Sequence, residues 1–394
     1  MKPFVAAHAT HAESGIAMAR AAAQIEAGLQ GLAPTLGWLY LSDHYAAQAE
    51  ALLADARRRW PGVHWVGGVG VGVAASGVEY FDEPGLVLML AELPRSHFQV
   101  FNGRQAIDPA RAATALVHAD PATHDLGDLI SELAQRTATG YLFGGLASGR
   151  GRTLHIADGV FEGGLSGVAF SSDVTLLSRV TQGCQPVGPA RRITEAQHNL
   201  VLALDGEPAL PLLLRDLGVS LDQPRAAVNA LRGTLAGLTD GRDDALARAG
   251  QFGTDTRVRH LIGIDPQRQA VAIADQAAEG QQLAFCRRDV EAARRDLVRI
   301  CAEIRDEVES EMAAPTMLAQ GAAEPTAPRI AGAIYVSCSG RGGPHFGGPS
   351  AEMQIVRHAL GDVPLAGFFA AGEIARHHLY GYTGVLTVFV AGPA

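Results

Sequence analysis

The chain reads as a mixed α/β protein of two domains, each a mixed sheet with helices packed on it, part of it an antiparallel meander. Three observations predict this. Strand-like and helix-like segments alternate from Phe4 to Leu93, which favours helices laid on a sheet. Residues 141–181 form short apolar runs punctuated by glycine, the pattern of antiparallel strands. Near the C-terminus an apolar strand, a glycine-rich loop, a helix and a second apolar strand follow one another directly. At 394 residues the chain exceeds one ordinary core, so two domains are expected, 1–217 and 218–394.

The elements follow in order. Phe4–Thr10 is a strand, and Ser14 opens a helix of alanine with Ile16, Met18, Ile25 and Leu29 that ends at Gly31. Thr35–Leu41 is a strand, Tyr45–Arg59 a helix stopped by Trp60-Pro61, and Val63–Val73 a strand with four glycines among its valines. Leu86–Leu93 is an unbroken apolar run and reads as a buried strand. A polar helix pair, Pro109–His118 and Leu126–Thr137, precedes the meander of Tyr141–Ala147, Thr153–Ala157, Gly164–Ser171 and Val174–Thr181. The meander continues through Arg191–Leu204 into a helix ending at Gly218, and Asp222-Gln223-Pro224 opens another reaching Leu238. Asp240–Gly250 is a polar linker, and strands resume at Val258–Gly263, Ala270–Ala274 and Gln282–Phe285. In Arg288–Met312, Val290, Ala293, Leu297, Ile300, Cys301, Ile304 and Val308 recur at three- and four-residue steps, one apolar stripe of a long helix. Ala313–Arg329 connects it to the strand Ala333–Val336, the loop Ser337–Gly348, the helix Ser350–Leu360 and the strand Leu365–Ala370.

Composition excludes several functions. A net charge of −9 argues against a nucleic-acid backbone as partner, which needs a clustered basic face. No stretch approaches the roughly 20 apolar residues of a membrane span. The four cysteines lie far apart with no C-x-x-C pair, and a reducing, cytoplasmic setting is the expectation. Gly70-x-Gly72-x-x-Ala75 fits the loose dinucleotide fingerprint, but turn and strand residues follow it instead of a helix. Ser148 sits in Leu-Ala-Ser-Gly, which is no nucleophile elbow.

Chemistry concentrates at the C-terminal loop. Arg341 suits a carboxylate or phosphate through its planar fork, or a salt bridge to a neighbouring element. Glu373, after Gly372 at a strand end, suits a ligand ammonium group, or a cap on the turn that follows. Cys338 is a thiolate candidate beside Arg341, or a buried inert thiol. Tyr382 is placed to hydrogen-bond into the same region. His345, beside Phe346, is the best-placed histidine should a haem be bound, ahead of His377 and His378.

Several motifs resemble one family. LFGGLAS (Leu142–Ser148) and QGCQPVGP (Gln182–Pro189), with the continuation to Leu210, are similar to the N-terminal FIST domain. SCSGRGG (Ser337–Gly343), PLAGFFAAGEI (Pro364–Ile374) and YGYTGVLTVF (Tyr380–Phe389) are similar to its C-terminal partner. One departure is Tyr380, where members often carry histidine. The resemblance implies a stand-alone bacterial sensory module that binds a small ligand, either amino acid-like or a haem that senses nitric oxide. It implies no catalysis, and a signalling partner such as a histidine kinase. Gly144, Gly145 and Ser148 of the first motif join Cys338, Arg341, His345, Glu373 and Tyr382 as expected ligand-binding residues. The competing expectation is a small-molecule enzyme using Cys338 or Glu373.

Overall fold

The computed structural model describes residues 4–240, 256–313 and 329–391. It contains two compact units, Met1–Thr181 with Asp296–Ala394, and Gln182–Arg295. The position expected from the sequence for a domain boundary, Gly218, lies inside the second unit.

The first unit holds three six-stranded mixed sheets. Sheet one runs Phe4–Ala9, Leu86–Ala91, Leu36–Ser42, His64–Gly70, Leu154–Ala157, Val160–Glu162. Sheet two runs Phe98–Phe101, Leu165–Phe170, Thr114–Ala119, Tyr141–Leu146, Glu373–Arg376, His378–Tyr380. Sheet three runs Leu176–Gln182, Thr383–Ala391, Arg329–Cys338, Leu365–Ala370, Gly72–Ala75, Val78–Phe81. The plan is the same each time. The third and fourth strands are parallel and are joined through a crossover helix: Ala49–Arg59, Leu126–Gln135 or Ala351–Leu360. The fifth and sixth are a hairpin contributed by a different part of the chain.

One residue type repeats at one register position. Gly67, Gly144 and Gly367 lie opposite Leu39, Val117 and Tyr335 on the parallel partner. A Cβ at each would fall 1.9–2.0 Å from that partner's carbonyl oxygen. Gly67 and Gly144 also have φ of 149° and 138°, which other residues rarely adopt. The three sheets share one core that includes Trp38, Tyr40, Phe143, Phe170, Ile334, Phe368 and Phe389. The helices Ser14–Leu29 and Ala49–Arg59 cover the other face of sheet one through Met18, Ile25, Leu52 and Leu53. Each such side chain contributes about 1.5–3 kcal/mol by leaving water.

In the second unit six antiparallel strands close into a ring: Arg191–Gln197, Leu200–Leu204, Ala270–Ile273, Arg257–Asp265, Thr234–Thr239 and Gln282–Arg288, the last pairing back to the first. Ile193, Val201, Leu238, Ile273 and Phe285 share its core with the helix Ala209–Leu217.

The mixed α/β reading holds, and the long helix is there, Val290–Ala313. Four readings differ. Tyr141–Ala147, Thr153–Ala157, Gly164–Ser171 and Val174–Thr181 are strands as expected, but no two of them pair as a meander, because they enter sheets two, one, two and three. The expected helix 109–118 is instead the central strand Thr114–Ala119, in which every residue from Ala115 to Ala119 is buried. A strand covered on both faces loses the alternation that marks a half-exposed one. The helix expected to reach Leu238 stops at Arg232, because Gly233 ends it and Thr234–Thr239 pairs as a strand. Val63–Val73 is two strands in different sheets, His64–Gly70 and Gly72–Ala75. The expected linker 240–250 falls, apart from Asp240, outside the described residues, as does the connection over 314–328.

Candidate functional site

The strand Arg329–Cys338 ends in two short turns, Ser339–Arg341 and Gly343–Phe346, and then the helix Ala351–Leu360 begins. Arg341 turns inward. Its Nε and Nη2 donate to Glu352 Oε1 at 2.9 and 2.7 Å, and both side chains are 1% exposed. The same carboxylate accepts from Tyr335 Oη at 2.7 Å and Ser337 Oγ at 3.0 Å. The guanidinium lies 5.1 Å from the Phe346 ring centroid. Burial works against the Arg341 charge, yet Glu352 outweighs it and raises the pKa further. Of the two roles open to Arg341, the structure displays the salt bridge. Its Nη1 is buried with no hydrogen-bond partner.

Glu373 is fully buried and pairs in the sheet-two ladder with Gly145, so the two family motifs meet there. Its Oε2 accepts from Thr383 N at 3.1 Å and Oγ1 at 2.7 Å, and its Oε1 is buried without a partner. Burial pushes its carboxyl up to about 8, against the pull of Thr383, Arg341 and the Cys338 thiol. Cys338 is buried, and burial and the Glu373 charge push its thiol up to about 12, against N–H groups of Gly340 and Tyr382. Tyr382 thus reaches Cys338 through its backbone, held in a left-handed conformation. A thiol so raised is a poor thiolate at neutral pH.

The LFGGLAS glycines serve packing. A Cβ on Gly145 would meet Val336 and Ala370 below 3 Å, and Gly144 occupies the close-approach position. Ser148 joins strand ends from the three sheets: its Oγ donates to the Phe369 carbonyl and accepts from Val71 N at 3.0 Å. Cys338, Arg341, Glu373, Tyr382, Gly144 and Gly145 therefore converge around one buried node, with Ser148 on the adjoining strand ends. His345 lies apart on its turn, half-buried, its ring edge-on to Phe346 at 5.4 Å.

A cavity of about 340 Å³ borders the turn, lined by Glu79, Phe81, Glu83, Gly343, Pro344, Pro349 and Ser350. Phe81 packs so closely on Gly342 that a Cβ there would lie 2.0 Å from its ring. Glu79 is 7% exposed. Its backbone N–H donates to Ser350 Oγ at 2.9 Å, and its Oε1 accepts from Met353 N at 3.0 Å, at the start of the helix. Burial pushes its carboxyl up to about 7, the Met353 N–H pulling it down and the Glu352 charge raising it. The cavity thus presents carboxylates and no imidazole or guanidinium, so its lining does not fit a haem, which needs an axial histidine and cations for its propionates. Among the described residues no group of three or more His, Cys, Asp or Glu is placed to hold a metal ion.

Sequence reasoning passed over Glu352 and Glu79. Glu352 had a signal, since it stands four residues before Val356 on the buried stripe of its helix, where a charge demands a partner. Glu79 sits in a short strand far away in sequence, and nothing local marks it. A third buried pair went unread: Tyr40 and His118 hydrogen-bond at 2.9 Å in the core, and burial lowers the His118 pKa to about 3.

Three repeats of one mixed-sheet plan thus carry a buried ionic node and a small acidic cavity at one repeat's turn. Family models match the chain as FIST N domain over residues 35–207 and FIST C domain over 209–376. The chain belongs to the FIST family, whose domains are associated with small-ligand sensing in signal transduction. It is similar to an uncharacterized protein of Mycobacterium tuberculosis, 32% identical over 95% of this chain and 96% of the relative. It is also similar to one of Mycobacterium bovis, 30% identical over 95% of each. No helix among the described residues is long and apolar enough to cross a membrane.

Proposed function

We propose that this chain binds an amine-bearing, amino acid-like small molecule in the cavity beside the Gly343–Ser350 turn, without turning it over. It reports occupancy to a separate cytoplasmic signalling protein such as a histidine kinase. One observation carries the reading: the Glu79 carboxyl lines the cavity and also accepts the Met353 N–H at the start of the helix. A carboxyl raised to about 7 releases its proton when a cation arrives, so an ammonium group is the natural ligand head. The next residue back from Met353 is Glu352, the centre of the Arg341 node, so a change at Glu79 reaches the buried pair through one peptide bond. Coupling of about 1–3 kcal/mol is enough to bias a partner. Binding without catalysis is favoured by the Cys338 thiol, which burial keeps protonated.

Calorimetric titration with amino acids and simple amines tests this. One or more should bind wild type, and Glu79→Gln should weaken binding at least tenfold. Equal affinity in the variant, or heat from none of them, removes the cavity reading. Kinase autophosphorylation with and without the bound amine then tests the output. The haem and nitric oxide reading, with His345 as axial ligand, rests on the family alone. A haem-incubated sample with a strong band at about 400 nm that His345→Ala abolishes would restore it.

A further inference from the structure

A second cavity, about 660 Å³ in volume, lies within the first unit and has no part in the reading above. Its walls include Phe4 on the edge strand of sheet one, Leu29 and Leu32 where the first helix ends, and Val363 ahead of the strand Leu365–Ala370. Two charged side chains reach it, Asp362 and Arg329. They are not equivalent. Asp362 Oδ1 accepts from Arg357 Nε at 2.6 Å, an exposed pair that engages its carboxylate. Arg329 makes no ion pair or side-chain hydrogen bond among the described residues.

A guanidinium with no side-chain partner among the described residues, in a hollow walled by polar groups and by the apolar side chains of Phe4, Leu29, Leu32 and Val363, matches one ligand chemistry. Its fork takes a carboxylate through two parallel hydrogen bonds. The hollow is far larger than a simple anion and falls in the range of pockets that enclose a small organic molecule. The held Asp362 carboxylate on the same wall disfavours a second negative charge on the ligand. We propose that this cavity is a second ligand site, for an amphipathic monoanion: a medium-chain carboxylate with its head on Arg329 and its chain along Phe4, Leu29, Leu32 and Val363. The Phe4 ring lies 6.0 Å from Trp38 and 4.8 Å from Phe389, both in the shared core, so occupancy is felt by a buried indole.

Octanoate, octylammonium and octanol, titrated into the full chain by calorimetry and by tryptophan fluorescence, are the probes. Octanoate should bind and alter the emission, and octylammonium should bind far more weakly. Arg329→Gln should weaken octanoate by about tenfold or more while leaving octanol unchanged, since a charge-assisted contact is lost and no partner among the described residues is stranded. Leu32→Trp should block both. Glu79→Gln should leave octanoate affinity as in wild type, which separates this site from the amine cavity. No heat from octanoate at millimolar concentration overturns the proposal, as does equal octanoate affinity in Arg329→Gln. Octylammonium binding as tightly as octanoate overturns the choice of an anion.

Discussion

Glu352→Ala removes the acceptor at the centre of the buried node. It strands the Arg341 guanidinium, 1% exposed, whose Nε and Nη2 both donate to Glu352 Oε1, and it frees the hydroxyls of Tyr335 and Ser337. Breaking a buried ion pair from one side costs about 3–5 kcal/mol because the other charge stays behind. Arg341→Met should cost less, since Glu352 keeps two hydroxyl donors. The double substitution Arg341→Met with Glu352→Ala leaves no unpaired charge. It should recover most of the loss, giving a coupling energy above about 1.5 kcal/mol in a double-mutant cycle. Urea unfolding followed by tryptophan emission is a suitable assay, because Trp38, Trp60 and Trp65 are buried in the unit that holds the node. A Glu352→Ala variant within about 1 kcal/mol of wild type, the level of a surface change, would refute the argument. So would strictly additive effects in the cycle.

Glu373 has its folded pKa raised, so its stabilising contribution is complete below the ordinary glutamate value near 4.3 and is lost as pH rises through about 8. Wild type should therefore melt lower at pH 8 than at pH 5, and Glu373→Gln should flatten that slope; an unchanged slope in the variant counts against the buried carboxyl. Gly144→Ala should lower the melting temperature sharply, because the new Cβ lies 2.0 Å from the Val117 carbonyl, whereas Gly127→Ala, with nothing within 4 Å in a helix, should be neutral or stabilising. All four cysteines are buried and free, so a thiol reagent should titrate four groups quickly in denaturant and nearly none in the native state.

What the sequence showed depended on how local the cause was. The helix Val290–Ala313 was legible from its stripe, since periodicity is written in neighbouring residues. The convergence of Cys338, Arg341 and Glu373 was legible because one strand–loop–helix–strand segment carries all three. Thr114–Ala119 was misread since burial on both faces erases alternation. Glu79 was invisible because its partner Met353 lies 274 positions away. Arg341 showed the right chemistry with its direction open: a fork that fits a ligand carboxylate fits Glu352 equally well, and only the packing decides which it meets.

The hairpins that complete the three sheets are exchanged in a cycle. Gly72–Ala75 and Val78–Phe81 leave the sheet-one strands to finish sheet three. Leu154–Ala157 and Val160–Glu162 leave those of sheet two to finish sheet one. Glu373–Arg376 and His378–Tyr380 leave those of sheet three to finish sheet two. The repeats are thus interlocked, and the seam between the family models at 207 and 209 does not separate them. A fragment ending at 207 would hold a hairpin with no sheet to join, and its sheet two would end in a bare edge at Tyr141–Leu146. Expressed alone, each half should aggregate through those open edges; expressed together, they should reassemble. The two halves named by sequence are then a single partnership, because neither closes its sheets without the other.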